Sequence, residues 1–188
     1  MSGNDDYIDE QGFRANVGII LMRDDGRLCL GGRAGARGWQ FPQGGIRRGE
    51  RDDVALYREL EEEVGLGGED VEELGRTRGW LRYRLPPQFR RRHPDPPCIG
   101  QKQRWFLLRL KGPDSLLRFD ATDQPAEFDR WRWAEWWEPV REVIYFKRRV
   151  YARAGEDLVP NRFPAGAPPL ADWWEKPFRA RPPLREDP

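Results

Sequence analysis

The side chains richest in chemistry are Glu59, Glu62 and Glu63, with Glu50 and Arg58 close by in the chain. On a helix of 3.6 residues per turn, positions i, i+3 and i+4 share one face, so these three carboxylates project together. Such a row is unfavourable by itself. Like charges at i, i+4 cost about 0.2–0.5 kcal/mol per pair, and acid in the last turn opposes the macrodipole by about 0.3–1 kcal/mol per group. Arg58 can answer one carboxylate, not all of them. A divalent cation on that face would turn repulsion into ligation, and hard oxygen donors favour Mg²⁺ or Mn²⁺ over zinc. The plainer alternative is a solvated acidic face on a surface helix, and a charge run taken alone favours it.

The elements that must position this row can be read around it. Leu56, Leu60 and Val64 mark a second, apolar face that should enter the core, and Gly65 sits where a helix ends in the left-handed conformation. The helix should start near Arg51, with Asp52 and Asp53 suited to its N-terminus. Before it, Gly44 to Glu50 reads as a glycine-rich turn, delivered by a short extended piece, Trp39 to Pro42.

Further upstream, Val17 to Met22 reads as a buried strand and Arg27 to Leu30 as a second one. Asp24-Asp25-Gly26 between them predicts a hairpin. Gly31 to Gly38 is expected to be a loop carrying Arg33 and Arg37. Downstream, Gly67 to Asp70 reads as a turn. Arg78 to Leu85 alternates as a strand with two different faces. Pro86 to Pro97 should be irregular and holds the basic run Arg90-Arg91-Arg92-His93, which more simply solvates a loop than touches a ligand. Gln103 to Leu110 and Phe128 to Trp133 read as strands. Pro139 fits the first turn of a second helix that should continue through Val140, Val143, Ile144, Lys147, Val150 and Tyr151.

The expected organisation is a polar arm over residues 1–12, one domain over 13–153, and a proline-rich tail over 154–188 that Trp173, Trp174 and Phe178 could pin to the body. The 188 residues suffice for one domain with a real core. Lys plus Arg total 33 against 32 Asp plus Glu, so bulk charge does not mark a nucleic-acid binder, and any such contact must use local patches. Cys29 and Cys98 make no disulfide framework, and Cys29, in an apolar run, should be core. The acidic start lacks an apolar stretch, and no run is long enough to span a membrane, so a cytoplasmic location is the expectation.

Gly44, five residues, Glu50, seven residues, then Arg-Glu-Leu-x-Glu-Glu-x-Gly-Leu over Arg58 to Leu66 matches every fixed position of the Nudix hydrolase signature. The chain resembles that family. The resemblance implies an α/β/α sandwich with a mixed central sheet. It also implies hydrolysis of a diphosphate linked to another group, with Mg²⁺ (or Mn²⁺) clamping the attacking and leaving oxygens. It makes Glu59, Glu62 and Glu63 metal ligands, completed by the Gly44 carbonyl. Arg58 would hold the glutamates in place and Glu50 would orient that network.

Several further stretches sharpen the likeness: Gly12 to Gly18, Trp39 to Gly45, Trp80 to Tyr83, Cys98 to Gln103 and Phe146 to Arg148. Over roughly residues 7–153 they are similar to the RNA-processing branch of the Nudix hydrolases, which also acts on dinucleoside polyphosphates. Members of that branch remove pyrophosphate from the 5′ end of triphosphorylated or diphosphorylated RNA. The likeness implies that Arg33 and Phe146 sandwich the second nucleobase, and that Arg14, Tyr83, Gln101 and Lys147 contact phosphates or base. Glu127, by residue type an ordinary loop acid, would bind metal or act on the attacking water. Gly38 departs from the branch, which can carry a serine there. Plain readings stay open for Phe146 as core, Arg33 as a loop arginine and Tyr83 as sheet packing. The expected substrates are RNA 5′ ends and nucleoside polyphosphates, with no membrane and a monomeric enzyme. A silent scaffold that binds RNA ends without cutting them is the reading from another class, and intact Arg58, Glu59, Glu62 and Glu63 argue against it.

Overall fold

A computed structural model describes residues 6–35, 37–90, 97–119 and 127–165. Among these the strands are β1 (Phe13–Met22), β2 (Leu28–Arg33), β3 (Trp39–Gln40), β4 (Gln43–Gly45), β5 (Val71–Arg76), β6 (Leu81–Arg84), β7 (Gly100–Leu110) and β8 (Phe128–Ala134). The helices are α1 (Asp52–Val64), α2 (Glu138–Glu142) and α3 (Arg148–Arg162). One mixed sheet runs β3-β2-β1-β7-β5, with β4 on β1, β6 on β7 and β8 on β2. The β1–β7 pair is parallel and the other pairs are antiparallel.

Period-two alternation along the central strands sends side chains to two separate cores. Ile19, Leu21, Phe106 and Leu108 meet Leu56, Leu60 and Val64 of α1 on one face. Ile20, Met22, Trp105 and Leu107 meet Val150, Tyr151, Ala154 and Leu158 of α3 on the other. This is the expected α/β/α sandwich. Leu56, Leu60 and Val64 are fully buried, worth about 1.5–3 kcal/mol each, which outweighs the poor electrostatics of the acidic helix end. Gly65 closes that helix at φ 71°, its N–H donating to the Glu61 carbonyl at 3.0 Å. Cys29 is core. Among the described residues no helix is long and apolar enough to cross a membrane.

Several elements differ from the sequence expectation. The hairpin exists only beside its turn, where Met22 faces Leu28; β2 then leaves β1 and pairs with β8 and β3. Arg33 ends a strand rather than standing in a loop, beside a register shift between Gly32 and Arg33. The glycine-rich turn opens as β4, with Val17 opposite Gly44 and Asn16 opposite Gly45. Val71–Arg76, unassigned from sequence, is a strand on β7. The single helix expected from Pro139 is broken: Val143 is extended (φ −74°, ψ 154°), and a 3₁₀ turn, Tyr145–Lys147, precedes α3. A continuous helix would have set Lys147 on the apolar stripe with Val140 and Val143; the break turns it toward the cleft described below.

Helix α3 runs through Pro160 to Arg162, past the point where an irregular tail was expected to begin. Proline in a helix interior is about 3 kcal/mol less favourable than alanine. Buried Ala154 and Leu158, and Phe163 set edge-to-face on Trp136 at 5.3 Å, hold this last turn together. Arg91 to His93, and Trp173, Trp174 and Phe178, lie outside the described residues.

Candidate active site

Helix α1, the β4 turn and the ends of β1, β2, β6 and β7 surround a cleft of about 1110 Å³. Arg14, Arg33, Gly44, Arg58, Glu59, Glu62, Glu63, Tyr83, Gln101, Glu127, Phe146 and Lys147 all line it. Strand register explains part of this convergence. Gln101 on β7 faces Arg14 on β1 and Tyr83 on β6, so three neighbouring strands deliver one row. The Tyr83 hydroxyl donates to Gln101 Oε1 at 2.6 Å. Arg33 lines the cleft from the end of β2, just past the register shift.

Arg58 organises the acidic end, and it answers three carboxylates rather than the one expected from sequence, because its planar fork has several donors. Its Nε and Nη2 reach the two oxygens of Glu50 at 2.9 and 2.8 Å. Nη1 donates to Glu59 at 2.5 Å, and Nη2 also donates to the Gly45 carbonyl at 2.8 Å. Glu62, exposed, stands 3.4 Å from Nη1. Hydrogen bonds from Arg58 hold the Glu50 carboxyl below the usual carboxylate range. Glu50 in turn accepts the Arg47 N–H at 2.8 Å, tying the turn to the helix.

Glu59 and Glu63 are pushed the other way. Burial raises the Glu59 carboxyl, with Arg58 pulling against it. Burial raises Glu63 well above its ordinary value, and the charges of Glu127 and Glu59 add to that. The Gln43 N–H, donating to Glu63 Oε2 at 2.8 Å, is the opposing contact. Glu59, buried, and Glu63, half-buried, repel each other with Gly44 packed against Glu59, and their hard oxygens suit a divalent cation. Among the described residues no three His, Cys, Asp or Glu side chains converge so as to hold a metal ion, Glu59 and Glu62 being drawn to Arg58.

Gly44 is the cradle for Glu59. A Cβ on residue 44 would stand 1.7 Å from the Glu59 carboxyl carbon. The Gly44→Ala variant should therefore fold, because a flexible carboxyl end can swing away, yet place Glu59 wrongly. A displacement of about 1 Å can cost roughly 100-fold in rate. The expected outcome is a melting temperature within a few degrees of wild type and a loss of turnover on that order, read by paired thermal and kinetic assays.

A thread of contacts leads from the acids to a group of aromatic rings. Glu127 faces Glu63 and accepts Gln40 Nε2–H at 2.7 Å. Lys147 Nζ donates to Gln40 Oε1 at 3.4 Å and lies 5.9 Å from the centre of the Tyr83 ring. Burial pushes the Lys147 ammonium down to about 8, while Glu127 raises it. Phe146 is 5.8 Å from Tyr83 and 5.0 Å from Phe89 between ring centroids. Gln40, Gln43 and Phe89 carry no functional signal by residue type, and only the packing reveals their place. Tyr151, buried in the core, accepts the Phe41 N–H at 3.1 Å and stacks on that ring at 5.1 Å, which fixes the segment bearing both glutamines. The N-terminal segment reaches the cleft too, since Asp6 pairs with Arg14 at 2.9 Å and lines it.

The sandwich, the glycine turn and the acidic helix with its arginine are those of one family: residues 12–155 match the NUDIX domain, and the chain belongs to the NUDIX family. Among curated proteins it is similar to the RNA pyrophosphohydrolase of Thioalkalivibrio sulfidiphilus, 58% identical over 161 residues, covering 86% of this chain and 92% of that protein. It is likewise similar to the RNA pyrophosphohydrolase of Alkalilimnicola ehrlichii, 55% identical over 161 residues, covering 86% of this chain and 88% of that one. Solved structures share the fold at low identity. The E. coli dihydroneopterin triphosphate pyrophosphohydrolase has a TM-score of 0.56 at 17% identity, covering 74% of this chain and 92% of that chain. A C. elegans Ap4A hydrolase binary complex has a TM-score of 0.53 at 19% identity, covering 76% and 94%.

Proposed function

We propose that this protein hydrolyses the 5′ triphosphate of RNA, releasing pyrophosphate and leaving a 5′-monophosphate that opens the transcript to decay. The observation that carries this reading is the contact thread itself: carboxylates, then Gln40 and Lys147, then Tyr83 and Phe146, within one cleft. A 5′ RNA end has the same order, polyphosphate first and bases after it. The curated relatives named RNA pyrophosphohydrolase support it at 52–58% identity.

Nudix hydrolases use divalent metal ions. Here Glu59, Glu62, Glu63, Glu127 and the Gly44 carbonyl would hold them, Mg²⁺ or Mn²⁺ by donor hardness, and when bound they supply charge neutralisation and polarisation of the phosphoryl oxygens. The protein's own groups do the rest. Arg58 and Glu50 keep the ligating carboxylates in register. Lys147 and Arg14 bring positive charge to the phosphates, and Gln101, oriented by the Tyr83 hydroxyl, adds a polar contact. Arg33 and Phe146 stack on the second nucleobase from its two faces, a contact worth about 1–3 kcal/mol and tolerant of sequence. Glu127, fixed by Gln40, serves as a ligand or accepts the proton of the attacking water. The oxygen of that water bonds to phosphorus, and the bond to the bridging oxygen of the leaving pyrophosphate breaks. The reading has the enzyme work as a monomer in the cytoplasm.

The deciding assay compares kcat/KM for a triphosphorylated RNA and for diadenosine tetraphosphate in one magnesium buffer, with products identified. RNA should be the better substrate and yield pyrophosphate and 5′-monophosphorylated RNA. Cleavage of the dinucleotide with RNA left intact would overturn the reading in favour of a dinucleoside polyphosphate hydrolase. The Phe146→Ala variant should lose about tenfold or more in kcat/KM on RNA, the stacking contribution, and much less on a lone nucleoside triphosphate. Equal losses on both would make Phe146 a structural residue.

A further inference from the structure

Resting on the RNA reading above, we propose that Phe89 is a further nucleobase-binding residue, stacking on the third base of an RNA whose second base lies between Arg33 and Phe146. Among the described residues the exposed large apolar side chains are Tyr7, Val54, Tyr57 and Phe89, and of these only Phe89 lines the cleft. It is 45% exposed although a half-buried ring, Phe146, lies 5.0 Å away with the two planes tilted by 54°. Tyr83, Phe146 and Phe89 thus step outward from Lys147, with centroid separations of 5.8 and 5.0 Å. Rings placed in succession along a backbone-tracking groove are the general way proteins take consecutive bases of a single strand, because every base offers a π-face.

Phe89 also stands on a braced turn. It closes a 3₁₀ turn, Pro87–Phe89, whose entry is stiffened by Pro86 and Pro87. The Phe89 N–H donates to the Pro86 carbonyl at 2.9 Å and the Arg90 N–H to the Pro87 carbonyl at 3.1 Å. Arg90 Nε reaches back to the Leu85 carbonyl at 2.8 Å, clamping the turn from its far side. A base landing on Phe89 therefore meets a surface already ordered, which lowers the entropy cost of binding. The competing role is that of a prop, in which Phe89 serves only to hold Phe146. RNA length separates the two, since a dinucleotide has a second base and no third.

The test measures kcat/KM for a 5′-triphosphorylated dinucleotide and trinucleotide with wild type, Phe89→Ala and Phe89→Tyr. Phe89→Ala should lose about five- to tenfold on the trinucleotide and stay within twofold of wild type on the dinucleotide, and Phe89→Tyr should restore the trinucleotide rate. A trinucleotide made resistant by a methylene between its α and β phosphorus, with 2-aminopurine as its third base, gives a reading free of turnover. Its fluorescence should be quenched on wild type and not on Phe89→Ala, whereas 2-aminopurine at the second base should be quenched by both. Equal losses on the two lengths, no loss on either, or third-base quenching that survives in Phe89→Ala would each overturn the proposal and leave the RNA reading standing. A wild-type protein that cleaves neither RNA would overturn the RNA reading itself, and this inference with it.

Discussion

The Glu63→Gln variant should lose at least about 100-fold in kcat, the range over which a positioned catalytic group contributes, while its melting temperature stays level or rises. Glutamine keeps the shape of the side chain and an oxygen to accept the Gln43 N–H now held at 2.8 Å. It removes a carboxylate that burial and the neighbouring Glu127 and Glu59 all disfavour. An isolated structural acid would behave differently, because its loss would leave catalysis alone. RNA binding should weaken far less than turnover falls, since the interaction removed acts mainly on the transition state. The same variant should show a smaller rise in melting temperature on adding magnesium or manganese than wild type does, because a ligand that binds the folded state stabilises it by mass action. Kinetics and thermal melts on one preparation check all three. Turnover within twofold of wild type would remove Glu63 from the chemistry.

Replacing Arg58 should do the reverse and strike stability as well as rate. The side chain is 17% exposed and answers Glu50 and Glu59, themselves 11% and 10% exposed, as well as the Gly45 carbonyl. Arg58→Ala strands two buried carboxylates. Removing one partner of such a pair costs about 3–5 kcal/mol, and at about 2–4 °C per kcal/mol for a chain of this size the melting temperature should drop by about 6–20 °C. Arg58→Lys keeps the charge and cannot span two carboxylates and a carbonyl with one ammonium, so it should recover part of the loss. A drop of only a degree or two in Arg58→Ala would mean the glutamates are stable without their arginine.

The acidic helix was legible because its signals are local. Leu56, Leu60 and Val64 share a face by spacing, Gly65 supplies the left-handed cap, and the fixed spacing from Gly44 to Leu66 carries the family. The convergence of Arg14, Gln101 and Tyr83 was not legible from periodicity. It depends on the register of β1, β7 and β6, whose pairing partners lie far apart in the chain; only the family likeness named those residues. Strand β5 escaped notice because Val71-Glu72-Glu73-Leu74-Gly75-Arg76 has little apolar alternation and pairs on one side with a register shift. The broken helix around Val143 was misread for a physical reason. Val140, Val143, Lys147, Val150 and Tyr151 are all buried, as one continuous stripe would be, but α2, the 3₁₀ turn and α3 bury them in succession instead. Gln40 and Phe89 stayed silent because an amide and a loop phenylalanine acquire a role only from what folds beside them.

Diffraction at the manganese absorption edge, on crystals of the protein soaked with Mn²⁺, tests the central claim most directly. The account predicts anomalous density at the carboxylates of Glu59 and Glu63 beside the Gly44 carbonyl, lost in a Glu63→Gln crystal soaked alongside. Acidic side chains that keep their contacts to Arg58 and Gln43 with no anomalous density among them would contradict it.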